Sequence, residues 1–338
     1  MKKPVERMGL IFNEMPGKCK EPVALVAKIP RYGGPQCGPC SIASIIVMME
    51  VIAAEKERVL TRRQFLGLSG LSVLGLGLYS AEIARHEIDI VQRTFVIPGM
   101  PESFKGFRIV QVSDIHFREF TEAYFVKLVL HEVNTLKADL VALTGDYVSY
   151  GPLERHRSIP WAYECGELLT RIECPQRYAI LGNHDCIVNE AAAKDALTTH
   201  GIPVLNNQAI PLERDGKRIW LAGIADALNG NPGPDFEKTI PKTARRDDER
   251  VILLAHEPDI APRVAKYNVD LMLSGHTHGG QVRLPFVPPM HMPPLGKKYV
   301  DGYFQIGRTQ LYVNRGIGTV GLPFRLNCPP EITVITLA

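Results

Sequence analysis

The octapeptide IVQVSDIH, residues 109–116, sets the pattern from which the fold is read. Its first five residues form a short apolar run, the length of a strand rather than of a helix. Behind them stand Asp114 and His116, a carboxylate and an imidazole one residue apart. The arrangement returns four times. LVALT (140–144) runs into Gly145-Asp146, and YAIL (178–181) runs into Gly182-Asn183-His184-Asp185. VILLA (251–255) runs into His256, and LMLS (271–274) runs into Gly275-His276-Thr277-His278. Apolar strands that alternate with helical patterns indicate an α/β domain whose strands are buried on both faces. In open α/β sheets, ligand sites gather beyond the carboxyl ends of the strands. Five strand ends with metal-capable residues therefore point to one site.

Taken singly, these motifs carry little. Gly-Asp is a common turn, and a lone histidine often caps a helix. Together they supply two carboxylates, four imidazoles and one carboxamide. Oxygen and nitrogen ligands without thiolate suit Mn, Fe or Zn in a reactive site, not a structural zinc cage. Gly145, Gly182 and Gly275 sit at the strand-to-loop turns, where a residue without Cβ lets the chain approach closely.

Between the strands, the sequence predicts helices over 121–136, 161–172 and 191–200. Thr121 is the expected N-cap of the first, with apolar residues at Tyr124, Phe125, Leu128, Val129 and Leu130. IWLAG (219–223) reads as a further strand. The C-terminal strands at 311–313 and 332–337 have no helix between them, so mixed rather than purely parallel sheets are expected. Residues 283–300 hold five prolines and read as a long loop or lip.

The 338 residues are 45% hydrophobic with a net charge of +3. This is the composition of a globular chain, and it gives no basic face for nucleic acid. Seven cysteines are too few and too scattered for a disulfide scaffold. Cys37-Gly-Pro-Cys40 reads alone as a thiol redox pair or half a zinc site, but its flanks are loop-like and no second pair follows.

TRRQFL (61–66) precedes GLSGLSVLGLGLY (67–79), a basic stretch before a short uncharged core, as in an export signal. It resembles a twin-arginine signal, which implies the twin-arginine translocase as a partner and a place at or beyond the cytoplasmic membrane. No 18 consecutive strongly apolar residues occur, so an ordinary transmembrane helix is not expected. Three segments follow: 1–47 as a gene-call extension ahead of a start near Met48 or Met49, 48–84 as the signal or anchor, and 85–338 as the folded domain. Ser80-Ala81 is a weak cleavage candidate.

In order and spacing, the five motifs resemble those of the calcineurin-like metallophosphoesterase superfamily over about residues 105–338. GHTHGGQVRLPF (275–286) with the twin-arginine pattern is similar to one branch of it, exported and often membrane-associated bacterial phosphodiesterases related to UDP-2,3-diacylglucosamine pyrophosphatases. The resemblance implies a four-layer αββα sandwich, two mixed β-sheets flanked by helices. It also implies two divalent ions, manganese favoured. Asp114, His116, Asp146 and His278 would hold one. Asp146 would bridge to the second, held by Asn183, His256 and His276. His184 would be a catalytic residue rather than a ligand, protonating the leaving oxygen, with Asp185 holding its ring. The implied reaction is attack of a dimetal-bridging hydroxide on a phosphodiester or pyrophosphate. A lipid-linked or nucleotide–lipid substrate, such as UDP-2,3-diacylglucosamine, is the case the branch suggests. A phosphomonoesterase or a non-enzymatic binding module on the same fold are the alternatives. Arg118 and Arg283 are candidate contacts to a substrate phosphate, with plain surface arginines as the equal alternative. Tyr147 is open, and Cys186 is expected to be structural.

Overall fold

Successive side chains of a strand face opposite ways, and most central strands here are apolar on both faces. The computed structural model describes residues 60–150, 157–240, 249–289 and 292–338. The expected extension 1–47, with Cys37 and Cys40, lies outside the described residues. All elements below belong to the unit Arg62–Ala338.

One sheet comprises β1 (Asp89–Phe95), β11 (Glu331–Leu337), β2 (Arg108–Val112), β3 (Leu140–Leu143) and β4 (Arg177–Ala179), in that spatial order. β2, β3 and β4 are parallel, and β11 runs antiparallel to β2. The other sheet comprises β5 (Gln208–Arg214), β6 (Lys217–Gly223), β7 (Val251–Leu254), β8 (Leu271–Ser274), β10 (Thr309–Val313) and β9 (Gly302–Ile306). Here β6, β7, β8 and β10 are parallel, and antiparallel strands close both edges. Both sheets are mixed, as expected.

Strand alternation sorts the side chains into three cores. Leu140 and Ala142 of β3 meet Leu254 and Leu273 between the sheets. Val141 and Leu143 face outward to Phe125, Val129, Leu169 and Leu197. Those four come from helices α2 (Ala123–Thr135), α3 (Ser158–Leu169) and α4 (Asn183–Thr198). On the far face, Leu253, Met272 and Val313 lie under Phe236, Ile260 and Val264. The helices there, α5 (Phe236–Thr239) and α6 (Ala261–Val264), are each a single turn. The chain is therefore a four-layer αββα sandwich with one thick helical layer and one thin one.

Four details differ from the sequence reading. Thr121 does not cap α2, because its carbonyl accepts from the Arg118 N–H in a turn, and Glu122 holds the N-cap place without a side-chain bond. The buried stripe of α2 is Phe125, Val126, Val129, Leu130 and Val133, which leaves Tyr124 and Leu128 exposed. α4 begins eight residues early, because Asn183, His184 and Asp185 are themselves its first turn.

The fourth concerns α1 (Arg62–Leu78), which buries none of its residues. Helical turns continue it to His86, making 25 residues, long and apolar enough to cross a membrane. This corrects the expectation of no such helix: counting an unbroken apolar run missed the continuation. Its foot is part of the folded domain, since Ser80 and Ala84 are buried.

Candidate metal centre

Each strand end turns sharply to aim its side chain. Asp114, His116, Asp146, His276 and His278 have φ of 52°, 47°, 56°, 74° and 50°. Residues with a Cβ rarely adopt this left-handed region, and each such position costs about 1–3 kcal/mol. The surrounding chain holds them there. The Asp114 N–H donates to Gly145 O (2.9 Å) and the His116 N–H to Asp146 O (3.0 Å). Strain at five positions around one point is the pattern of a functional site.

The side chains converge. Asp114, His116 and His278 form one group able to hold an ion, Asp146, His256 and His276 form another, and His116, Asp146 and His184 form a third that overlaps both. Asp146 joins both, with Oδ2 3.2 Å from His256 Nε2 and 3.6 Å from His116 Nε2. His278 Nε2 lies 3.4 Å from Asp114 Oδ1 and 3.0 Å from His116 Nε2. Asn183 stands on the first turn of α4, and its buried Oδ1 has no hydrogen-bond partner. All seven residues expected as ligands thus come together.

Carbonyls behind the rings decide which nitrogen faces inward. His256 Nδ1 donates to Thr144 O (2.7 Å), and His278 Nδ1 donates to Gly318 O (3.3 Å). His276 is reversed: its Nε2 donates to Pro294 O (2.7 Å), which leaves Nδ1 for the site. His116 Nδ1 pairs with Ser149 Oγ at 2.7 Å. Neutral imidazoles fixed this way present bare lone pairs to two carboxylates, an assembly of acceptors that a cation completes. The donor set therefore fits divalent ions.

Burial pushes Asp114 up to about 6, with His256 opposing and Asp146 adding to the rise. Burial alone would also raise Asp146, but His256, His184 and His116 outweigh it and hold the carboxyl well below its usual range. Burial works against charge on His256, yet Asp146 and Asp114 overturn it and raise the ring well above an ordinary histidine. Burial, then the neighbouring imidazoles, brings His116 to about 3 and His276 to about 4.

Two glycines permit the approach. A Cβ on Gly275 would stand 1.9 Å from Ser113 Oγ and 2.2 Å from Asp114 Oδ2. One on Gly182 would stand 2.3 Å from Asp146 Oδ1.

His184 is half-buried beside His116, ring centroids 4.8 Å apart and edge to face. Its Nδ1 accepts from the Tyr150 N–H at 3.1 Å. It lines a cavity of about 350 Å³ with Asp146, Asn183, His276 and His278. Asp185 does not hold the His184 ring, contrary to expectation. Its fully buried carboxylate accepts from the backbone N–H groups of Asp146 (2.8 Å), Tyr147 (2.9 Å) and Gly182 (3.0 Å). It is a positioning residue, joining the Asp146 loop to the first turn of α4.

Of the two readings open for Arg118 and Arg283, the structure shows the one away from the cavity. Arg118 pairs with Glu164, and Arg283 pairs with Asp301 and donates to Gly279 O (2.6 Å). Neither lines the cavity. Their motif neighbours reach the site, while these long side chains find carboxylates elsewhere. Tyr147 is buried, its hydroxyl donating to Ile180 O at 2.9 Å. Cys186 is a half-buried free thiol.

Sequence reasoning missed two supporting residues. Arg325 is fully buried and donates to the carbonyls of Arg315, Gly316, Gly318 and Cys328. It thereby fixes the Gly318 carbonyl that orients His278, and nothing in its local sequence announces this. Gln111 in β2 donates to Ser274 O (2.9 Å) and Thr144 Oγ1 (3.0 Å), tying the two sheets together beneath the site. A glutamine inside an otherwise apolar strand was the readable signal.

A family model described as calcineurin-like phosphoesterase matches residues 107–280. The chain is 38% identical over 291 residues to the uncharacterized metallophosphoesterase YkuE of Bacillus subtilis (strain 168), covering 82% of this chain and 98% of that one. It is 33% identical over 237 residues to phosphodiesterase YaeI of Escherichia coli (strain K12), covering 68% and 82%. Among solved structures, the calcineurin-like phosphoesterase YfkN from Bacillus subtilis matches at 15% identity with a TM-score of 0.40, covering 62% of this chain and 81% of that one.

Proposed function

Because this chain belongs to the calcineurin-like phosphoesterase family, we propose that it hydrolyses a phosphodiester or pyrophosphate bond with a pair of divalent ions. The observation that carries the reading is the convergence of two ligand groups on one shared carboxylate, Asp146. Asp114, His116 and His278 with Asp146 would hold one ion, and Asn183, His256 and His276 with Asp146 the other. The oxygen and nitrogen donor set suits manganese, iron or zinc, and manganese is the ion proposed. When bound, such a pair supplies a water of lowered pKa and a clamp on the phosphoryl oxygens.

The chain supplies the rest. With His184 Nδ1 accepting from the Tyr150 N–H, the ring is left with Nε2–H as its donor. That N–H would donate a hydrogen bond to the charge developing on the oxygens of a phosphate seated in the cavity. One preorganised donor of this kind is worth roughly 10²–10³-fold. Purified full-length protein should hydrolyse a bis-aryl phosphodiester when Mn is supplied. His184→Ala should keep both ions by elemental analysis and lose about 10²–10³-fold in rate. If the ions leave with the ring, His184 is a ligand and its role here is wrong.

We further place the enzyme at or beyond the cytoplasmic membrane, exported by the twin-arginine translocase, with α1 retained as an anchor. Arg62 and Arg63 opening α1, its unburied apolar surface and its buried foot at Ser80 and Ala84 support this. A lipid-linked substrate suits that position, and Val320 and Leu322 give the cavity an apolar side. An activity panel pairing nucleotide-linked lipids with simple diesters, each metal in turn, tests the substrate class.

A further inference from the structure

Exposed apolar side chains on a folded domain usually stand singly, and a contiguous group marks a contact surface. Such a group stands on two hydrogen-bonded loops that border the cavity. Leu322 lines the cavity and is 62% exposed. Phe286, on the neighbouring loop, is fully exposed, with Leu284 (41%) and Val287 (47%) partly exposed beside it. The two loops are joined: the Arg283 N–H donates to Leu326 O (2.9 Å), and Gln281 Nε2 donates to Val320 O (3.0 Å).

The same short piece of chain holds the foot of α1. The Arg325 N–H donates to Ser80 O (3.1 Å), and Ser80 Oγ donates to Arg325 O (2.9 Å). Residues 322–327 therefore connect the apolar helix, the exposed Leu322 and the Phe286 loop. α1 exposes Phe65, Leu66, Leu71, Val73 and Leu74 around its circumference. A helix apolar on all sides requires an apolar solvent. The 17 residues of α1 that bury nothing span about 26 Å at ~1.5 Å per residue, close to a hydrocarbon core of about 30 Å.

We infer that the lip formed by Leu284, Phe286, Val287 and Leu322 is a lipid-docking surface, seated on the bilayer that α1 enters, so that the cavity opens at the lipid–water boundary. This rests on the reading of α1 as a retained anchor and is independent of the metal chemistry. The occupant is a phospholipid surface. The helix and the lip share one tether, and nothing apolar in the described fold covers either.

Bromine on lipid acyl chains quenches tryptophan only at close range, so the test is direct. Full-length Phe286→Trp is reconstituted into phosphatidylcholine vesicles with or without brominated chains. Val96→Trp is the control: Val96 is 69% exposed but follows β1, at the strand ends remote from the site. Trp161 and Trp220 form a constant background. The expected result is at least twofold quenching of the added emission at position 286 and none at 96. A second lip position, Val287→Trp, should agree and guards against misfolding at 286. Equal emission with and without bromine at both lip positions would overturn the inference, including where a second copy of the chain shields the lip. Bis-aryl diester turnover is measured alongside. Its absence in the parent would sink the proposed hydrolase without touching the quenching result.

Discussion

At Asp185, a carboxylate removed from solvent accepts from a row of backbone N–H groups. Asp185→Asn keeps the shape but turns an amide NH2 toward donors or leaves them unmatched. An unmatched buried donor costs about 1–3 kcal/mol, which urea unfolding should register as lost stability. Because those N–H groups belong to the loop of Asp146 and the turn of Asn183, bound metal should fall with it. An unchanged midpoint with full metal content would contradict this role. Sequence adjacency suggested Asp185 as the partner of His184. Its real donors at Asp146 and Tyr147 lie 39 and 38 residues upstream, a relation no local pattern carries. Arg118 and Arg283 stayed open between two readings in the sequence, because position in a motif does not fix where a long flexible side chain ends.

The ends of β2 and β8 meet at Gly275, where there is no room for a methyl group. Gly275→Ala should push Asp114 aside at a cost of about 1–3 kcal/mol, typical of overpacking. The expected readouts are a lower melting temperature and less than full metal occupancy by elemental analysis. Normal occupancy would mean that the two strand ends separate freely. Strands were the legible elements, because short apolar runs ending in Gly, Asp or His are local signals. Helices were less so. The first turn of α4 is polar and faces the cavity, so core periodicity did not include it. α1 was under-read because its last turns hold Glu82, Arg85 and His86 where the apolar run has already ended.

For the molecule as a whole, the ions act as ligands of the native state. A ligand at one hundred times its dissociation constant adds about 2.7 kcal/mol, worth several degrees of melting temperature at this size. Chelation should therefore lower the melting temperature by that order. The effect should depend on pH with a definite sign. Metal-free Asp114 takes up a proton as pH falls through about 6, and an ion must then displace it. The gap in melting temperature between Mn-loaded and chelated protein should be wide at pH 7.5 and shrink towards pH 5. A constant gap in differential scanning fluorimetry would count against carboxylate ligation. The sandwich itself was legible through the family resemblance. The thinness of its outer layer over the second sheet was not, since single-turn helices leave no period to read.

Asp146 belongs to the group of His256 and His276 and stands 3.6 Å from His116 of the other. A pocket with one wall in common has no intact half. A descendant that drifted toward a single-ion chemistry would have to begin at the outlying positions, His256 and His276 on one side or Asp114 and His278 on the other, because any change at position 146 dismantles both rooms at once.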